Sequence, residues 1–114
     1  MLMEILPSIT IGVPTYNRAW CLHRFLDAVE QLDYPKNKIR IVFVDNFSDD
    51  GTMQMLEEFK ERVSDDYEKI IIIPERSNIP QARNTCVKSS MGQYLLFLDS
   101  DVIPPPDTAK RMLN

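Results

Sequence analysis

The run Tyr94-Leu95-Leu96-Phe97-Leu98 stops abruptly at Asp99-Ser100-Asp101, two carboxylates with one residue between them. A short, continuous stretch of large apolar side chains predicts a fully buried strand reaching Asp99. The acids would then emerge at its carboxyl end, where open α/β sheets place their ligands. Carboxylates held close together repel each other unless a proton or a cation lies between them. A hard divalent ion with oxygen ligands is the natural occupant. Side chains alternate in direction along an extended chain, so one acid would ligate the ion directly while the other acts through water or a ribose. A plain acidic turn is the simpler alternative.

Two further apolar runs lead into chemically loaded residues. Ser8–Val13 leads into Pro14-Thr15-Tyr16-Asn17-Arg18, and Ile39–Val44 into Asp45-Asn46-Phe47-Ser48-Asp49-Asp50-Gly51-Thr52. In a parallel sheet such tips share one edge, so residues distant in sequence become neighbours over a crevice. Asp45 could accept hydrogen bonds from a base or ribose, or could serve the following helix as a turn carboxylate. Tyr16 offers an aromatic face for a base, or plain packing. Arg83, within Asn78-Ile79-Pro80-Gln81-Ala82-Arg83-Asn84, could reach a phosphate from a helix, or form a surface salt bridge. Glycines stand only at 12, 51 and 92. Neither a GxGxxG after the first strand nor a GxxxxGK[ST] loop exists, so a cation and side chains would have to hold any phosphates.

The elements that must position these tips can be read from periodicity and punctuation. Pro14 ends the first strand. Asn17 is expected to cap a helix from Arg18 to about Leu32, where Leu22, Phe25, Leu26 and Val29 make one apolar stripe. Tyr34-Pro35 stops it. After the second strand, Ser48 is expected to cap a helix to about Val63, with Leu56, Phe59 and Val63 inward. Glu68–Ile73 reads as a third strand closed by Pro74. Pro80 suits the first position of a third helix running to about Ser90. Gly92 precedes the fourth strand, and Asp107 follows Pro104-Pro105-Pro106 as a cap for a short last helix. This β-α-β-α-β-α-β order predicts an α/β fold, a parallel sheet with helices on both faces and the first strand central, beside the second and fourth.

The chain has 114 residues, the size of one small domain over 1–114. Its net charge of −4 gives no bulk attraction to nucleic acid or anionic lipid. Cys21 and Cys86 form no CxxC pair and His23 is the lone histidine, so a zinc site is not expected. Both cysteines read as reduced thiols on helices, and His23 as a surface or packing residue. Reduced thiols suit a cytoplasmic location. Met1–Pro7 is too short, and lacks the basic start, for a signal peptide. Asp65-Asp66 and Glu57-Glu58 read as solvated charges.

VPTYNRAWCLHRFLDAV, IVFVDNFSDDGT, NIPQARN and YLLFLDSD, in this order, resemble the family 2 glycosyltransferases of GT-A fold, and the segments span nearly the whole chain. The resemblance implies a nucleotide-sugar donor, commonly a UDP-sugar, bound with Mn²⁺ or Mg²⁺. It implies that Pro14, Thr15 and Tyr16 line the base pocket, with Arg18 and Asn46 among the substrate-binding residues. Asp45 would pair with the base, and Arg83 would approach the nucleotide. Asp99, Ser100 and Asp101 would surround ribose and metal, with Asp99 and Asp101 as the metal acids. Cys86 and Val102 depart from the family pattern. Relatives continue into an acceptor-binding half, so the catalytic base is expected beyond Asn114, and the fourth strand would present an open edge suited to self-association. A non-catalytic nucleotide-sugar-binding module is the alternative. An acid-dyad phosphohydrolase fits less well, because its dyad normally follows the first strand.

Overall fold

The computed structural model describes residues 6–113, so the reading of Met1–Pro7 lies mostly outside the described residues. Among the described residues four strands alternate with four α-helices: β1 (Ile9–Thr15), α1 (Leu22–Glu30), β2 (Ile39–Asp45), α2 (Thr52–Val63), β3 (Lys69–Pro74), α3 (Ile79–Ser89), β4 (Tyr94–Phe97) and α4 (Thr108–Met112). A single 3₁₀ turn, Lys36–Lys38, precedes β2. The sheet is parallel, in the order β3-β2-β1-β4. Register aligns Ile9 with both Ile39 and Tyr94, and Arg40 with Lys69. The expected alternation is present, with β1 between β2 and β4. All strands point the same way, so their carboxyl ends share one edge.

Alternate residues of the strands face opposite layers. Ile9, Ile11 and Val13 of β1 and Ile39, Ile41 and Phe43 of β2 pack against Leu22, Phe25, Leu26 and Val29 of α1 and Leu56, Phe59 and Val63 of α2. Phe43 and Phe59 meet edge to face, with centroids 6.1 Å apart. Each such buried side chain contributes roughly 1.5–3 kcal/mol relative to exposure. The other face is thinner. There Val42 and Val44 pack on Ala82 and Cys86 of α3. Gly12 permits that approach, since a Cβ at this position would lie 2.9 Å from the Cys86 Cβ.

Several boundaries differ from expectation. α1 begins at Leu22, with Cys21 rather than Asn17 at its cap position and no side-chain cap bond. Asn17 instead adopts φ 51°, and its side chain serves the neighbouring loop. α2 starts after Gly51, whose φ of 96° the absent Cβ makes inexpensive, while the Ser48 hydroxyl turns to Asp45. α3 is capped by Asn78 in a reciprocal capping box with Gln81, which moves Pro80 to the second helical position. Asp107 occupies the cap position of α4 without a side-chain bond.

The largest difference lies in β4. It ends at Phe97, before the acids, and its residues are not fully buried: Tyr94 is exposed, Leu95 and Phe97 are half-buried, and only Leu96 is buried. The physical reason is position. β4 is an edge strand, and among the described residues no strand lies on its outer side. The remaining surface follows expectation, with His23, Glu57, Glu58, Asp65 and Asp66 exposed.

Candidate nucleotide-sugar site

A cleft of about 740 Å³ opens at the carboxyl edge of the sheet. The β1 tip supplies Pro14, Thr15, Tyr16 and Arg18, and the β2 tip Val44 and Asn46. Ser77, Asn78, Ile79, Pro80 and Ala82 enter from the β3–α3 connection, and Asp99, Ser100 and Asp101 from beyond β4. Residues from four separate stretches thus converge, including both acids of the Asp99-Ser100-Asp101 segment.

The β1 and β2 loops are stitched together around Asp45. This residue is fully buried; its Oδ1 accepts from the Thr15 hydroxyl at 2.7 Å and the Ser48 hydroxyl at 2.6 Å, and its Oδ2 from the Ser48 N–H at 2.9 Å. The Ser48 hydroxyl in turn accepts from the Asn17 N–H, and Asn17 Oδ1 accepts from the Asp49 N–H. Asp50 accepts from the Ala19 N–H, the Thr52 N–H and the Thr52 hydroxyl. Burial works to raise the Asp50 pKa, but the bonds from Thr52 and Ala19 outweigh it and hold the carboxyl below its usual range.

The acids sit on a turn rather than an extended strand. The Val102 N–H donates to the Asp99 carbonyl at 3.4 Å. Between the acids, Ser100 is buried, and its hydroxyl donates to the Pro14 carbonyl at 3.2 Å. The turn replaces the expected alternation, so that Asp99 and Asp101 both line the cleft and both remain exposed to solvent. Two exposed carboxylates suit Mg²⁺ or Mn²⁺, hard ions for which water and substrate phosphate oxygens supply the remaining ligands. They do not suit a cage built from protein alone, and among the described residues no cluster of three or more His, Cys, Asp or Glu side chains is placed to hold a metal.

Arg18 adds a cation to the same wall. Its Nη1 donates to the Tyr16 carbonyl at 3.3 Å, while its Nε is buried and has no partner among the described residues. A buried donor of this kind costs stability unless something accepts from it. Tyr16 is half-exposed beside it.

The structure does not bring every expected residue to the cleft. The Asp45 carboxylate is held inside the loop scaffold, and its neighbour Asn46 is the residue that lines the cleft. Arg83 is exposed on α3, with its guanidinium 5.5 Å from the Phe97 ring centroid rather than in the cleft wall. Ser77 and Asn78 were not singled out from sequence. The available signal was a polar pair just after the strand-ending Pro74, at the tip of the third strand.

An open parallel sheet with a ligand-sized cleft over its switch point is the arrangement in which α/β folds bind their ligands. The family model described as Glycosyl transferase family 2 matches residues 10–114, and the chain belongs to that family. It is 37% identical over 99 residues to Glycosyltransferase AglE of Haloferax volcanii, covering 87% of this chain and 32% of that protein. Similarity to the poly(ribitol-phosphate) beta-N-acetylglucosaminyltransferase TarS of Staphylococcus aureus is 31% over 104 residues, covering 90% of this chain and 18% of TarS. Among solved structures, S. aureus TarS 1-349 in complex with UDP superposes with a TM-score of 0.79 at 27% identity, over 93% of this chain and 31% of that one. The mannosyltransferase PcManGT from Pyrobaculum calidifontis, in complex with GDP-Man and Mn²⁺, gives 0.77 at 32% identity, over 87% and 29%. The fold is therefore that of the GT-A glycosyltransferases, and the chain spans a third or less of the length of these relatives.

Proposed function

We propose that this chain is the donor-binding part of a glycosyltransferase, and that its cleft takes a nucleotide-diphosphate sugar together with Mn²⁺ or Mg²⁺. The observation that carries this reading is the meeting of Asp99, Asp101 and Arg18 with Tyr16 and Asn46 around one cleft at the carboxyl edge of the sheet. The structural relatives hold UDP in one case and GDP-Man with Mn²⁺ in another, which supports a diphosphate-linked donor without fixing its base.

Each group has a role that its chemistry suits. Asp99 and Asp101 would hold the ion, and Ser100 pins their turn to β1. Arg18, which lines the same cleft, offers the diphosphate a cationic guanidinium. Tyr16 gives the base an aromatic face. Thr15, Ser48 and Asp45 stiffen the loops that carry these residues. When bound, a divalent ion supplies Lewis-acid stabilisation of the diphosphate as leaving group. The two buried free thiols support a reducing compartment such as the cytoplasm. Among the described residues no helix is long and apolar enough to cross a membrane.

Calorimetric titration with UDP and GDP, in MnCl₂ and then in EDTA, tests the reading. At least one nucleotide should bind in a Mn²⁺-dependent manner, and Asp101→Ala should abolish that dependence. Equal affinity in the variant and the parent would overturn the metal assignment. Sustained sugar transfer to an acceptor would show that the chain is more than a binding module.

A further inference from the structure

The sheet has a second margin, on the side away from the acids. β3 ends the order β3-β2-β1-β4, and among the described residues no strand lies on its outer side. Its centre is Ile70-Ile71-Ile72-Ile73, of which Ile70 is buried and the other three are half-buried. A groove of about 500 Å³ adjoins this margin, lined by Met53, Ile72 and Pro74 together with Glu57, Lys60 and Glu61.

The backbone determines which groups are free. The Glu68 N–H donates to the Ile39 carbonyl of β2. Successive residues of a strand turn their N–H and C=O groups to opposite sides. Ile70 and Ile72 therefore bond toward β2, while Lys69, Ile71 and Ile73 direct theirs outward. Edge strands are commonly blunted by lysine and proline. Here Lys69 and Pro74 stand only at the two ends, and Pro74 falls in the inward set, so the outward donors of Ile71 and Ile73 remain.

The charges at those ends are self-complementary. The segment reads Glu68-Lys69-Ile70-Ile71-Ile72-Ile73-Pro74-Glu75-Arg76. Antiparallel pairing with a second copy, about a two-fold axis at Ile72, sets Ile71 against Ile73, Lys69 against Glu75 and Glu68 against Arg76. The backbone suits this register, because Ile71 and Ile73 exchange N–H···O=C bonds on both sides of the axis. Lys69 is exposed and has no ion-pair partner among the described residues, and the Glu75 carboxylate accepts from the Thr85 hydroxyl at 2.7 Å. The outer pair is secondary, since Glu68 already meets Arg40 and Arg76 stacks on Phe47. Moving the axis to Ile71 sets Lys69 against Ile73 and Glu68 against Pro74, and both charge matches are lost. The β4 flank offers no such match: the residues before it, Ser89–Gln93, are uncharged, and Asp99 and Asp101 after it are both acids.

We propose that the β3 margin is a self-association surface, on which a second copy of this chain lays its own β3 antiparallel, centred on Ile72. Two four-stranded sheets then become one of eight strands. The strands of the two copies run in opposite directions, so their clefts open at opposite edges. A flank this short fits a weak dimer rather than an obligate one. The inference is independent of what the cleft binds.

Sedimentation velocity of the chain from about 10 μM to about 500 μM, a range that reads micromolar dissociation constants, tests it. The parent should show a concentration-dependent monomer–dimer equilibrium. Lys69→Glu turns two symmetry-related attractions into repulsions and should weaken the dimer about tenfold. Adding Glu75→Lys to Lys69→Glu should restore it. Ile72→Cys should give a disulfide-linked dimer on mild oxidation, because residues facing each other in a non-hydrogen-bonded pair lie about 4.5 Å apart at Cα. Ile71→Cys should not, since its counterpart is displaced along the strand. Cys21 and Cys86 are buried and do not compete. Thermal unfolding confirms the fold of each variant. A monomer throughout the range, a dimer that Lys69→Glu leaves unchanged, or cross-linking as ready at 71 as at 72 would overturn the proposal.

Discussion

Replacing Asp45 with alanine removes the acceptor for three hydrogen bonds at once: the Thr15 hydroxyl, the Ser48 hydroxyl and the Ser48 N–H. Thr15 is 4% exposed and Asp45 0%, so the orphaned Thr15 hydroxyl cannot simply turn to water. Ser48 is only partly buried and recovers some hydration. An unsatisfied buried group costs about 1–3 kcal/mol, and bonds to a charged acceptor are stronger than neutral ones. Counting Thr15 in full and Ser48 in part gives a loss of about 3–4 kcal/mol. For a domain of this size that is a fall in Tm of about 10–15 °C. It is a large fraction of a typical domain stability but leaves the chain folded at room temperature. Asp45→Asn retains an acceptor oxygen, and its amino group can donate to a reoriented hydroxyl, so about 1–2 kcal/mol is expected there. Urea titration and thermal unfolding followed by circular dichroism measure both. The reasoning fails if Asp45→Ala melts within about 2 °C of the parent, well inside the shift expected for one such bond. Loss of nucleotide binding at unchanged stability would return Asp45 to the role of a direct base contact.

Gly12→Ala should destabilise by about 1–3 kcal/mol, because the new methyl lands 2.9 Å from the Cys86 Cβ and 3.0 Å from its Sγ, where α3 has no slack. The denaturant midpoint reads this directly. Burial pushes the Cys86 thiol up from 9.0 to about 11, so the native chain should react with a thiol reagent at Cys86 only after unfolding, as counted by mass spectrometry. The same shift has a stability consequence. The folded thiol holds its proton more tightly than the unfolded one, so its contribution is complete below pH 9.0 and is lost as pH rises toward about 11. Cys86→Ala should flatten that part of the stability profile.

The order of elements was legible because apolar runs and helical stripes are long and differ in period. Leu22, Phe25, Leu26 and Val29 are buried as their spacing requires, and so are Leu56, Phe59 and Val63. That Asp99 and Asp101 meet the cleft was legible too, since two carboxylates directly after an apolar run have few structural uses, although β4 itself stops short of them at Phe97. Loop chemistry was less so. Asn17 and Ser48 are both good cap residues, and both are drawn instead into the network around Asp45, a tertiary demand that local propensity does not record. Asp45 and Asn46 are adjacent, and a strand end sends neighbours to opposite faces. Which of them meets the cleft depends on a register that becomes fixed only when β1 pairs β2 at Thr15 and Asp45. The exposure of β4 followed from sheet order, because the same apolar letters describe a central strand and an edge strand.

The strand that delivers Asp99 and Asp101 is also the least braced in the sheet. It is four residues long and, among the described residues, bonded along one flank only, and its acids hang from a turn held by the Leu98 N–H on the Gly12 carbonyl, the Ser100 hydroxyl on the Pro14 carbonyl and the Cys21 thiol on the Ser100 carbonyl. Such margins open first in native-state fluctuations. Whatever lies alongside Tyr94–Phe97 therefore governs how rigidly the two acids are presented. A companion strand there would act as a splint on the cleft from outside it, holding the two acids in place without entering the cleft.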